Sequence, residues 1–124
     1  MANIEITIEQ ENDLTIFTVE GELTANEIIK YSSKFYDKKP TKKILWDATK
    51  GSVSKITSGE FRKIAKEMKK FTKKREGGKT ALVGSFDADF GLARMYEVYA
   101  ESEELPVSYG IFRDIDEAKE WLNL

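Results

Sequence analysis

The chain has 124 residues, 40% of them hydrophobic and 11% aromatic, with a formal net charge of −2. That size suits a single domain over 1–124 with its own core, and the near-neutral balance gives no global field to attract nucleic acid. Cysteine and histidine are both absent, which excludes disulfide scaffolds, thiol nucleophiles, Ser-His-Asp triads, the usual zinc sites and histidine pH switches.

Isoleucines 4, 6 and 8 alternate with Glu5, Thr7 and Glu9, the period-two signature of an edge strand with one face in the core and one in water. After a polar break at Glu11, Asn12 and Asp13, the run LTIFTVEG is apolar on both faces, as a more central strand is, and the short gap predicts an antiparallel hairpin. Thr24 and Glu27 form a T-x-x-E capping box, with Ile28, Ile29, Ser32, Phe35 and Tyr36 following at helical spacing until Pro40. Lys43 to Asp47 is a short apolar strand, and 48–56 reads as a loop. A second capping box, Thr57 with Glu60, opens a helix whose apolar face is Phe61, Ile64, Ala65, Met68 and Phe71, ended by Gly77-Gly78.

Thr80 to Ser85 is the next strand. Asp87 or Asp89 can cap a helix with Leu92, Met95, Tyr96 and Tyr99 on one face, and Pro106 follows its end. Val107, Tyr109 and Ile111 alternate as the last strand. Asp114 with Glu117 caps a short helix that docks through Ala118, Trp121 and Leu122. The order is β-β-α-β-α-β-α-β-α. It predicts an α/β fold: a mostly parallel open sheet of about five strands with the first antiparallel, and four helices on right-handed crossovers.

Charge is unevenly spread. Residues 1–27 hold seven acids and no base, whereas 60–79 hold nine bases against three acids, a net +6. The basic run reads as the solvated face of a helix, because its lysines fall between regularly spaced apolar residues and no aromatic interleaves on the charged side. Nucleic acid is therefore not an expected partner. The start, MANIEITIEQ, has no basic n-region or apolar h-region, and no stretch nears the roughly 20 apolar residues of a membrane span; the expectation is a cytoplasmic protein.

In an open α/β sheet, loops and helix N-termini converge outside the carboxyl ends of the parallel strands. Three such ends can be read here: Asp47-Ala48-Thr49, Ser85 with Asp87, and Arg113-Asp114. These residues also suit plain capping. Thr57 and Ser58 could carry a regulatory phosphate at a helix N-terminus, and Asp47 could be a phosphoacceptor in Mg²⁺-dependent phosphotransfer. Arg94 is a candidate anion anchor or a partner for Glu97. The aromatic stripe of Phe90, Met95, Tyr96 and Tyr99 reads as core.

Together the strand order, the segment ILWDATKGSVSKITSGEF, the helix FGLARMYEVYAE and the closing VSYGIFRDIDEAKEWL resemble the SpoIIAA-like, or STAS/SEC14-type, small bacterial proteins over nearly the whole chain. Anti-sigma-factor antagonists of that superfamily carry D-S-S-G-L at the start of the equivalent helix, and their second serine is phosphorylated by a partner kinase. Here Ser58 stands at that position, with Ile56 in place of the acid. The resemblance implies a partner-facing surface at this helix N-terminus. Its SEC14-like side implies an apolar pocket for a small hydrophobic or anionic ligand.

The expected function is thus a non-enzymatic STAS-like module that binds a protein partner, switched at Ser58. The alternative is a carrier or sensor of a small ligand, with Asp47, Thr49, Ser85, Asp87 and Arg94 as contacts; phosphotransfer at Asp47 is a third option. No cofactor or metal is expected. An exposed edge strand invites homodimer pairing, while its glutamates discourage it.

Overall fold

The computed structural model describes residues 2–84 and 87–124, with the side chains of 87–89 outside the description. β1 (Asn3–Glu9) and β2 (Leu14–Glu22) pair antiparallel across a single 3₁₀ turn that ends at Asp13, in the left-handed region at φ 51°. β3 (Lys43–Ser52), β4 (Lys79–Gly84) and β5 (Ser108–Phe112) then add in parallel, giving the sheet order β1-β2-β3-β4-β5. Each strand sits beside its predecessor, so right-handed crossovers carry three successive helices to one face. These are α1 (Ala25–Asp37), α2 (Ser58–Met68) and α3 (Asp87–Ser102). The last helix, α4 (Ile115–Trp121), covers the opposite face.

Both expected capping boxes form. Thr24 Oγ1 accepts from Glu27 N while Glu27 accepts from Thr24 N, and Thr57 and Glu60 repeat the arrangement. Each satisfies two backbone donors that a helix start leaves free. α4 is capped by Asp114, which accepts from Asp116 N at 2.7 Å. The expected caps at Asp87 and Asp89 involve side chains outside the description.

Three elements differ from expectation. β3 continues through the polar stretch 48–52, because strand pairing needs only backbone: past a register shift at Thr18/Glu20, Lys50, Gly51 and Ser52 pair with Glu20, Gly21 and Glu22. Gly51 makes this passage possible, since a Cβ there would lie 2.8 Å from Val19 Cγ1. α2 stops at Met68 rather than at Gly77-Gly78, and a 3₁₀ turn over Thr72–Arg75 directs Arg75 inward. The isoleucine face of β1 stays largely in water, with Ile6 46% and Ile8 60% exposed, because the strand lies at the sheet edge.

Two cores result. On the α4 face, Leu14, Leu45, Ala81 and Val83 pack against Ala118 and Leu122, with Trp121 and Phe112 at the margin. On the other face, Phe61, Ile64, Ala65 and Met68 of α2 meet Tyr36, Tyr96 and Ala100 from α1 and α3.

Candidate functional site

Strand alternation turns Phe17 and Val19, Ile44 and Trp46, and Thr80 and Leu82 toward α1–α3. These side chains do not fill that face. A cavity of about 110 Å³ remains between them and the helices, which supply Ile28, Ser32, Phe61, Ile64 and Tyr96. An engineered apolar cavity of roughly 150 Å³ takes up benzene, so this space is smaller than a benzene site, and a longer ligand would have to extend out past the partly exposed Ala48 and Ala93.

The cavity is graded along the strands. At the carboxyl ends of β3 and β4 its lining is apolar, at Ala48, Val53, Val83 and Ala93; toward the strand starts it carries the polar groups of Thr80, Tyr36 and Arg75. Ile44 to Ala48 is four residue steps, about 13 Å of extended chain. Aromatic contacts stiffen the walls: Phe17 stacks on Trp46 at 4.3 Å, Phe35 meets Phe17 edge-on, and Tyr36 stacks on Phe71 at 5.6 Å.

Its buried end is polar. Arg75 is 1% exposed, and all five guanidinium hydrogens are engaged. Nε donates to Thr41 O (2.8 Å), Nη2 to Lys42 O (2.8 Å) and Lys79 O (3.0 Å), and Nη1 to the Tyr36 hydroxyl (3.0 Å) and Thr80 Oγ1 (3.1 Å). Every one of these acceptors is neutral, and among the described residues no ion pair involves Arg75. The Phe35 ring lies 5.8 Å from its carbon. The close turn behind it depends on Gly78, where a Cβ would collide with the Lys42 carbonyl oxygen.

Beside this clasp the Tyr96 and Tyr109 rings lie edge-on at 5.3 Å. Burial is the main influence on both phenols. It holds Tyr96 well above its ordinary value and pushes Tyr109 up to about 12. Arg75 lowers both and Tyr36 raises both, so the four polar groups occupy one neighbourhood.

The residues singled out from sequence lie elsewhere. Asp47 and Thr49 alternate with Trp46 and so turn to the α4 side, where Asp47 Oδ1 accepts from Thr49 N (3.0 Å) and Thr49 Oγ1 (2.7 Å). Arg94 is exposed on α3, 3.8 Å from Glu97. Ser85 and the Asp87 side chain lie outside the described residues. Thr57 is the N-cap of α2, and Ser58, the first helical residue, is exposed. The basic run keeps Arg62, Lys63, Lys66, Lys69, Lys70, Lys73 and Lys74 on the surface and buries Arg75. Sequence reasoning missed that burial. Tyr96 is core, as the aromatic stripe predicts, but its hydroxyl belongs to the polar cluster.

No protein-family model matches the sequence, and no curated protein matches it significantly. Among solved structures, the chain is similar to an uncharacterized protein of the DUF3478 family with a SpoIIAA-like fold from Shewanella loihica PV-4. The identity is 21% and the TM-score 0.61, over 98% of this chain and 95% of that one. The fold is SpoIIAA-like. Within this SpoIIAA-like frame the cavity lies under α1–α3, and Ser58 lies outside it, on the helix surface. Among the described residues, no helix is long and apolar enough to cross a membrane.

Proposed function

We propose that the protein is a non-enzymatic binding module, a carrier or sensor that takes a small, mainly apolar ligand between its sheet and helices. The observation that supports this most is the polar end wall of an otherwise apolar cavity. Ligand sites combine apolar walls with a few fixed polar groups that set orientation, and Arg75, Tyr36, Tyr96 and Tyr109 supply that here. Phenols pushed above their ordinary value stay protonated at neutral pH, which suits hydrogen-bond donation rather than proton abstraction. Native mass spectrometry of freshly purified protein tests the reading. A non-covalent adduct lost on denaturation is the expected result. A clean bare-chain mass that persists after incubation with apolar small molecules would contradict it.

A second reading places a protein partner on the N-terminus of α2, switched at Ser58. It is favoured by the exposure of Ser58 at the first helical position, where Thr57 and Glu60 already serve the cap and leave its hydroxyl unneeded for folding. A phosphate there would meet the positive end of the helix. Ser58→Asp is then expected to change partner capture while leaving the cavity's ligand affinity unaltered.

A further inference from the structure

Arg75 carries a full charge into the interior, and its hydrogen bonds go only to neutral oxygens. Geometry satisfies the guanidinium, but its charge has no carboxylate counterpart among the described residues. Buried charges are normally paired. Arg75 has no free hydrogen for a ligand, so its field reaches the cavity through Tyr36. The Tyr36 oxygen accepts from Nη1, which leaves the phenol hydrogen to donate onward and makes it a stronger donor. Tyr109 lines the same cavity, its ring edge-on to Tyr96, and brings a second phenol hydroxyl to it.

We propose that the cavity takes an apolar monocarboxylic acid head first, its carboxylate accepting from the Tyr36 and Tyr109 hydroxyls in the field of Arg75 and its tail running toward Ala48 and Ala93. The orientation follows from the gradient of the lining, which is polar at the strand starts and apolar at their carboxyl ends, where Ala48 and Ala93 are partly exposed. Two phenol donors match the two oxygens of a carboxylate, and the uncompensated cation supplies the opposite charge. A neutral head would gain the hydrogen bonds without the charge. An ammonium head would be repelled by Arg75 and would offer hydrogens to groups that need acceptors.

This inference rests on the cavity being a ligand site, and its test separates the two ideas. Octanoate, octanol and octylamine, which share one tail, are titrated calorimetrically into the intact chain at neutral pH. The expected order is octanoate tightest, about tenfold or more over octanol, with octylamine weakest. Tyr36→Phe and Tyr109→Phe keep the rings, and circular dichroism verifies that each variant is folded; each is expected to lower octanoate affinity about fivefold or more while leaving octanol within about twofold. Octanol binding as tightly as octanoate, or phenylalanine variants that do not distinguish the two, would overturn the head-first acid but leave the ligand site standing. Failure of all three compounds to bind would overturn both.

Discussion

The two faces of this sheet are built from the same strands by the same alternation, yet they end differently. Against α4, Leu14, Leu45, Ala81 and Leu122 are each 1% exposed or less and close into a dry core. Against α1–α3, larger aromatic walls leave a cavity whose far end holds a buried guanidinium and three tyrosine hydroxyls. A filled hydrophobic face stabilises through transfer and packing alone. The other face gives up packing and takes on desolvation of a cation, an arrangement that fits binding better than stability.

The sharpest way to break this contrast is Arg75→Met. It strips the donors from the carbonyls of Thr41, Lys42 and Lys79 and from two hydroxyls, so urea denaturation should register a loss of about 4 kcal/mol or more. A loss under about 1 kcal/mol would mean that the clasp is dispensable and the end wall soft.

Alkaline titration comes next. Because burial raises the folded-state value of Tyr109 to about 12, the folded chain holds its proton where the unfolded chain, near 10, has released it. The stability it contributes is complete below pH of about 10 and is lost as pH rises through about 12, by up to roughly 2.7 kcal/mol. Tyr96 shifts in the same direction. Tyr109→Phe should lose less stability than the parent over that window, as read by denaturation at a series of pH values; identical profiles would place the hydroxyl in water.

A matched pair of insertions contrasts the faces directly. Ala81→Leu, at a fully buried position of the α4 face, should cost about 2 kcal/mol by overpacking. Ala48→Leu, facing the cavity, should change stability by less than about 1 kcal/mol while blocking ligand uptake. Equal costs would mean that both faces are filled. The smallest effect belongs to Ser58→Asp, whose stability should stay within about 1 kcal/mol of the parent, since an acid is favourable in the first turn of a helix.

What the sequence made legible was local or periodic. Thr24 with Glu27 and Thr57 with Glu60 announced two helix starts because each box is complete within four residues. The strand character of β1 and the Ala118-Trp121-Leu122 face of α4 were readable for the same reason, although the isoleucine face of β1 lies largely in water rather than in the core. The extension of β3 was hidden because its pairing comes from the backbone of β2, to which polar side chains are indifferent. Arg75 was hidden inside a basic run whose other members are solvated; the nearby Arg62 stays on the surface beside Tyr99. Its burial depends on Tyr36, Thr41 and Thr80 converging on it from three other segments. No spacing rule brings those together.

The two tryptophans allow the central claim to be tested in one measurement, since Trp46 lines the cavity and Trp121 sits on the α4 face. Octanoate is titrated against Trp121→Phe, where Trp46 alone reports, and against Trp46→Phe, where Trp121 alone reports. A saturable change in Trp46 emission with Trp121 unmoved is the predicted result. A Trp46 signal that stays flat while Trp121 responds would put binding on the wrong face and contradict the account.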